Sequence, residues 1–127
     1  VIALKIKYHV SETEMEILQW LWDEKRKITS REIMDHFNGS QGKTWTKQTL
    51  NTFLTRLLKK GMLETESRGN KYLYFPTLSR KDYEKGKARE LLDSMYLGSI
   101  RNFIAALSGG GKLNKEESME LRDLLDK

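Results

Sequence analysis

A mainly α-helical fold with one small β-hairpin is predicted by three features of this sequence. Apolar residues recur at helical spacing along most of the chain, and Ser or Thr followed three positions later by Glu or Asp marks where helices start. Around Ser67-Arg68-Gly69-Asn70 the pattern changes to two short extended runs separated by a turn signal.

The first helix is announced by Ser11-Glu12-Thr13-Glu14, a capping box in which serine and glutamate satisfy each other's free backbone donors. Met15, Ile17, Leu18, Leu21 and Trp22 form its buried stripe. A second box, Thr29-Ser30-Arg31-Glu32, opens a short helix with Ile33, Met34 and Phe37 inward, stopping near Asn38-Gly39; the link from Lys25 to Thr29 is tight. The third helix lies within "TWTKQTLNTFLTRLLKKGML", Thr44 to Leu63. There Leu50, Phe53, Leu54, Leu57 and Leu58 give the i, i+3, i+4, i+7, i+8 stripe, and Gly61 ends it. Met62 to Pro76 reads as a β-hairpin, with Leu63 and Thr65 before the turn and Tyr72, Leu73, Tyr74 and Phe75 after it. Three helices followed by a two-stranded ribbon with Arg68 and Lys71 at its tip is the order of a winged helix-turn-helix.

Pro76 is the only proline, and Ser79-Arg80-Lys81-Asp82 behind it is another cap signal, so a boundary is expected at about residue 78. Residues 1–78 form the winged-helix DNA-binding domain in this reading, and residues 79–127 a helical dimerisation region. The second part holds three amphipathic helices, carrying Ala88, Leu91, Leu92 and Met95, then Ile100, Phe103, Ile104 and Leu107, then Leu121, Leu124 and Leu125. Leu97-Gly98 and Gly109-Gly110-Gly111 separate them. Three short helices bury too little surface to be stable alone, so their stripes need a partner, and a second copy of the chain is the simplest one. Leu91, Leu92, Met95, Ile100, Phe103, Ile104, Leu107, Leu121, Leu124 and Leu125 are the expected dimer contacts.

Composition narrows the function. With 127 residues, 38% hydrophobic, the chain allows one ordinary domain or a small domain with an appendage. No apolar run approaches the roughly 20 residues needed to cross a bilayer, and no secretory leader is visible, so a cytoplasmic protein without membrane contact is expected. There is no cysteine, and the two histidines, His9 and His36, cannot build a closed zinc site, so neither metal nor cofactor is expected. Two distant histidines assemble no nucleophile-base pair either, which argues against an enzyme. Glu116, Glu117 and Glu120 read as the acidic first turn of a helix behind Asn114, and Gly109-Gly110-Gly111 lacks the Lys-Ser/Thr of a phosphate loop.

The charge is uneven. Net charge is −1 over residues 1–38, +5 over residues 39–78 and +1 over residues 79–127, so the surplus surrounds the third helix and the hairpin. The outer face of that helix carries Gln48, Thr49, Asn51, Thr52, Thr55, Arg56 and Lys59, although Thr and Asn are poor helix formers. In a helix-turn-helix this helix enters the major groove N-terminus first, where amides pair with adenine and Thr reaches a base edge or the thymine methyl. Gln48, Thr49, Asn51 and Thr52 are therefore the expected base contacts. Lys43, Thr46, Arg56, Lys59, Arg68 and Lys71 are the expected phosphate contacts, with Lys60 also directed toward the backbone. The competing readings are a winged-helix protein-interaction module and a binder of structured RNA. A steep loss of duplex affinity with salt separates DNA binding from the first.

Several motifs resemble the penicillinase and methicillin-resistance repressor family (BlaI/MecI/CopY). They are Ser11-Glu12-x-Glu14-x-Glu16-Ile17-Leu18, Trp22, Trp45-Thr46-x-x-Thr49-x-x-Thr52-x-x-x-Arg56-Leu57-x-Lys59-Lys60-Gly61, Arg68-Gly69-x-Lys71-Tyr72-x-Tyr74 and Gly98-Ser99-Ile100. The likeness covers residues 10–127. It implies a homodimeric winged-helix repressor whose C-terminal helices interlock, bound to a palindromic double-stranded DNA operator. It also implies a sensor-transducer protease pathway that cuts an Asn-Phe bond in the C-terminal region. The departures are specific. The helix entrance reads Thr46-Lys47-Gln48-Thr49 where the family often has Ser-Pro-Lys-Thr, and Ala106-Leu107 aligns with the cut bond, with Asn102-Phe103 four residues early. The cysteine motif of the copper-responsive branch is absent.

Overall fold

Both predicted capping boxes form, and each sets the start of a helix. The computed structural model describes residues 6–110 and 114–125. In α1 (Glu12–Glu24) the Ser11 hydroxyl accepts from Glu14 N at 3.1 Å, while Ser11 N donates to Glu14 Oε1 at 2.7 Å. In α2 (Ser30–Ser40) Thr29 Oγ1 accepts from Glu32 N at 3.2 Å, and Thr29 N donates to Glu32 Oε1 at 3.3 Å. Together these bonds occupy donors that each helix start would otherwise leave free. α1 ends at Lys25, whose φ of 56° turns the chain sharply into the next segment.

That segment is where the predicted fold needs correction. Ile28–Thr29 is not a bare link but a short strand, β1, paired antiparallel with β3 (Lys71–Pro76) through Ile28↔Tyr74 and Thr29↔Leu73. The hairpin partner β2 (Leu63–Arg68) pairs with β3 from Leu63↔Pro76 to Arg68↔Lys71, so the sheet has three strands in the order β1-β3-β2. A two-residue turn, Gly69-Asn70, joins β2 to β3. Gly69 has φ of 62° and Asn70 does not share the positive sign, the arrangement in which glycine takes the first central position of a type II′ turn. α3 (Lys47–Lys59) precedes the hairpin, and Gly61, with φ of 75°, lets the chain reverse behind it.

The core joins these elements. Ile17, Leu18 and Leu21 of α1, Ile28 of β1, Ile33 and Phe37 of α2, and Leu50, Leu54 and Leu57 of α3 are all at most 3% exposed, as are Met62 and Leu63. Met15, Trp22, Met34, Phe53 and Leu58, expected inside, are partly buried against this cluster. Tyr83 joins the same core from α4 (Arg80–Tyr96) and donates its hydroxyl to Tyr8 O at 3.2 Å. Tyr8 in turn lies over Gly86, where a Cβ would meet its ring. The chain accordingly divides into two compact units, Val1–Gly86 and Lys87–Lys127, inside α4 and later than the Ser79 cap alone indicates.

In the second unit α4 ends at Leu97-Gly98, both with positive φ, and Gly98 N donates to Leu92 O at 3.0 Å. Ser99 caps α5 (Ile100–Gly110) by accepting from Asn102 N at 3.1 Å, and Asn114 caps α6 (Lys115–Leu125) by accepting from Glu117 N at 2.7 Å. Tyr96 and Phe103 meet edge to face across the break, 5.4 Å between centroids. Of the expected dimer contacts, Leu91, Met95, Ile100, Leu107 and Leu124 are exposed, and Leu92, Phe103, Ile104 and Leu121 are half-buried. Leu97, 89% exposed, and Met119, 58% exposed, extend this apolar surface and were missed as a chain break and a helix position without a stripe. The side chain of Leu125 and the residue Gly111 lie outside the described residues. No described helix is long and apolar enough to cross a membrane.

Candidate nucleic-acid interface

α3 is held in place from both ends. At its N-terminus the Thr46 hydroxyl accepts from Thr49 N at 3.1 Å and donates to Thr49 Oγ1 at 2.9 Å, so Thr46 is the cap. The turn that delivers the chain to this cap is clamped by Asn38. Its amide donates to Trp45 O at 2.9 Å, and its oxygen accepts from Trp45 N at 2.9 Å. Trp45 itself stacks on Phe37, 4.9 Å between centroids, and tilts against Phe53. These contacts explain the aromatic residue ahead of the helix: it anchors the entrance to the core.

At the C-terminal end a buried charge does the holding. Glu14, only 1% exposed, accepts from Lys60 Nζ at 2.6 Å. Burial pushes the Glu14 carboxyl up, but the hydrogen bond from Lys60, the Ser11 bonds and the Lys60 charge outweigh it, so its pKa is lowered. Lys60 therefore points inward, away from the position expected for a phosphate contact. The geometry behind this correction is the inward turn of the helix exit, which brings residue 60 over the start of α1. The Lys60 carbonyl also accepts from Lys7 N at 2.9 Å.

Between these anchors the outer face stands free. Gln48, Asn51, Thr52, Thr55, Arg56 and Lys59 are exposed, while Leu50, Leu54 and Leu57 are buried beneath them. Thr49 is half-buried, with its hydroxyl engaged by Thr46. The Thr52 hydroxyl donates to Gln48 O at 3.1 Å, within the helix. Arg56 and Lys59 sit in the last turn, where the helix dipole favours cations.

The cations beside the helix differ in freedom. Lys43 lies 3.2 Å from Glu16 and is about two-thirds covered. Arg68 and Lys71 face each other across the last register pair of the hairpin, and both are exposed. Arg68 approaches Glu66 at 3.4 Å, but Glu66 is also 3.0 Å from Lys27, whose hydrogen bond holds that carboxyl below its ordinary range. Two exposed residues beside this face, Lys47 and Tyr72, are not among the expected contacts. Lys47 is exposed as the first residue of α3, and Tyr72 is 60% exposed on β3. Strand alternation could have found Tyr72, since its neighbour Leu73 is buried.

Known proteins resemble this chain. A family profile described as "Penicillinase repressor" matches residues 10–127. The chain is 28% identical over 117 residues to the penicillinase repressor of Bacillus licheniformis, covering 92% of this chain and 89% of that protein. It is 23% identical over 120 residues to the methicillin resistance regulatory protein MecI of Staphylococcus aureus (strain N315), covering 94% and 95%. The solution structure of the DNA binding domain of the repressor BlaI aligns with a TM-score of 0.51 at 31% identity, covering 61% of this chain and 93% of that domain.

Proposed function

Since the chain belongs to the penicillinase repressor family, we propose that it is a homodimeric repressor in which each copy lays α3 into the major groove of one half of a palindromic operator. The family is one of transcriptional repressors, not enzymes. One observation carries the reading for this chain: the amides of Gln48 and Asn51 stand exposed on a helix whose neighbouring hairpin exposes Arg68 and Lys71. Gln48, Asn51 and Thr52 read base edges, and Thr49 contributes its methyl. Thr46, Arg56, Lys59, Arg68 and Lys71 hold phosphates, with Lys43 sharing its charge with Glu16. The apolar surface of α4–α6 pairs the two copies, with the boundary between reading and pairing regions in the first turns of α4.

Asn51→Ala is expected to cost roughly 1 to 3 kcal/mol on the preferred site and to flatten discrimination at one base position. Arg68→Ala should instead weaken all duplexes about equally. Selection from a random duplex library followed by titration on selected and scrambled DNA measures both. Equal losses on the two duplexes for both variants would mean that the α3 face does not read bases.

Relief of repression by a sensor-transducer protease would work by removing the pairing helices and with them the second half-site. Ala106 and Leu107 are exposed on α5, but their bond lacks the Asn-Phe pair, so relief runs through another bond or another signal. Mass spectrometry of the protein from its native cells after cell-wall-antibiotic challenge tests this. Fragments ending at Ala106 would overturn it, whereas fragments ending elsewhere, or an intact chain with derepressed target genes, would support it.

A further inference from the structure

Asn38 stands near the end of α2, where the sequence reads as a helix stop, yet the helix runs on to Ser40. The C-cap is Gln41, whose N donates to Phe37 O at 3.2 Å, so the Asn38 side chain takes no part in ending α2. It reaches across the turn instead, donating to Trp45 O and accepting from Trp45 N, both at 2.9 Å. These two bonds hold both peptide planes that flank the Trp45 Cα. The second plane carries the N–H of Thr46, the cap of α3, whose carbonyl accepts from Leu50 N at 3.1 Å. The Trp45 ring is fixed separately, on Phe37 and Phe53. Gly39, Ser40, Gln41, Gly42 and Thr44 of the intervening turn are exposed, and the Asn38 amide spans them from one side to the other.

We propose that Asn38 is a positioning residue for base reading: its amide sets the angle at which Gln48, Asn51 and Thr52 meet the bases, without touching DNA. The inference rests on the DNA reading above. A binding constellation has to be held within about 0.5 Å and 10–20° of its productive geometry, and these three residues lie in the first two turns behind the cap. The phosphate contacts are placed by other means. Arg68 and Lys71 follow from the β2–β3 register, while Arg56 and Lys59 sit at the end of α3 that Lys60 ties to Glu14. Loss of the clamp should therefore cost sequence discrimination and leave the sequence-independent part of the affinity in place.

The test is fluorescence anisotropy with the full chain, on a duplex enriched by the wild type from a random library and on a scrambled duplex of equal length. Asn38→Ala should weaken binding to the enriched duplex about tenfold, within the range for one bidentate base contact, and leave the scrambled duplex and the salt slope about as they were. Asn38→Asp supplies a readout that a packing role would not move. Its carboxylate still accepts from Trp45 N but has no proton for Trp45 O, whereas the carboxylic acid has one. The facing carbonyl favours that protonated form and raises the pKa of the new carboxyl. The loss on the enriched duplex relative to the wild type should therefore be largest at pH 7.5 and shrink toward pH 5. Taking the ratio at each pH removes what His9 and His36, common to both proteins, contribute. Equal losses on the two duplexes, or no loss on either, would overturn the inference, as would an Asn38→Asp ratio that is constant with pH. If Asn38→Ala is unfolded by tryptophan fluorescence, the pH series on Asn38→Asp decides alone. A wild-type protein that enriches no duplex would overturn the DNA reading itself.

Discussion

Lys60→Met is expected to lower stability at pH 7 by about 3 kcal/mol, the lower part of the range for breaking a buried ion pair, because Lys60 keeps some access to water. The substitution leaves the Glu14 carboxylate at 1% exposure without its cation. Its second oxygen, Oε2, already lacks a partner within the protein, so nothing nearby replaces Lys60. The pH dependence identifies the cause. In the wild type the folded pKa of Glu14 is lowered, so its contribution is present above the unfolded value of about 4.3 and is lost as pH falls through the folded one. In the variant burial dominates and the folded pKa rises, so the penalty is present above that raised value and fades as Glu14 protonates. The gap between the two proteins should therefore narrow from pH 7 to pH 4, measured by urea unfolding followed through tryptophan fluorescence. Combining Glu14→Gln with Lys60→Met should recover most of the loss. A gap that is constant with pH and not recovered in the double variant would mean that the pair does not hold the helix exit. The salt slope of DNA binding should also be unchanged in Lys60→Met, as its inward position requires.

A chain ending at Gly86 should be monomeric and should bind the palindromic operator about 10²- to 10⁴-fold more weakly than the full chain, while binding to a single half-site changes little. The physical cause is avidity: once one half-site is occupied, a tethered second copy meets the other at high effective concentration. The cut must come after Gly86 and not at residue 78, where the Ser79 cap signal alone would put the boundary. Tyr83, 7% exposed, packs in the first unit's core, tilts against Trp22 at 5.5 Å and bonds to the Tyr8 carbonyl. Ending the chain before it would unfold part of the reader and confuse two effects. Sedimentation at micromolar concentration, with titration on half-site and palindrome, decides the matter. A monomeric full chain, or equal affinity of both chains for the palindrome, would contradict the proposed pairing.

Much of the fold was legible because its signals are short-range. The caps at Ser11, Thr29, Ser79 and Asn114 each involve a partner three residues away, and the stripes of α1, α2 and α3 repeat within one or two turns. The exposed face of α3 was legible for the same reason, since Leu50, Leu54 and Leu57 define the buried side and leave Gln48, Asn51, Thr52 and Arg56 opposite. The local pattern could not tell which cations on that segment face outward. Lys59 and Lys60 are adjacent and chemically alike, yet one is exposed and the other is paired with a buried carboxylate.

By itself, then, the sequence determined the helices, their starts, the hairpin and its turn, because each follows from bonds and packing within a few residues. The tertiary structure decided the features that depend on a distant partner. Ile28–Thr29 is a strand only because β3 offers an edge to pair with; two residues carry too little pattern to announce one. Glu14 is buried as an ion only because Lys60, 46 residues later, arrives opposite it. Tyr83 extends the first unit because Tyr8, 75 residues earlier, supplies an acceptor and a ring. Arg31, Lys47 and Lys71 share one groove although they belong to three elements. Local propensity is encoded along the chain, whereas burial and charge pairing belong to surfaces that exist only once the chain has closed on itself.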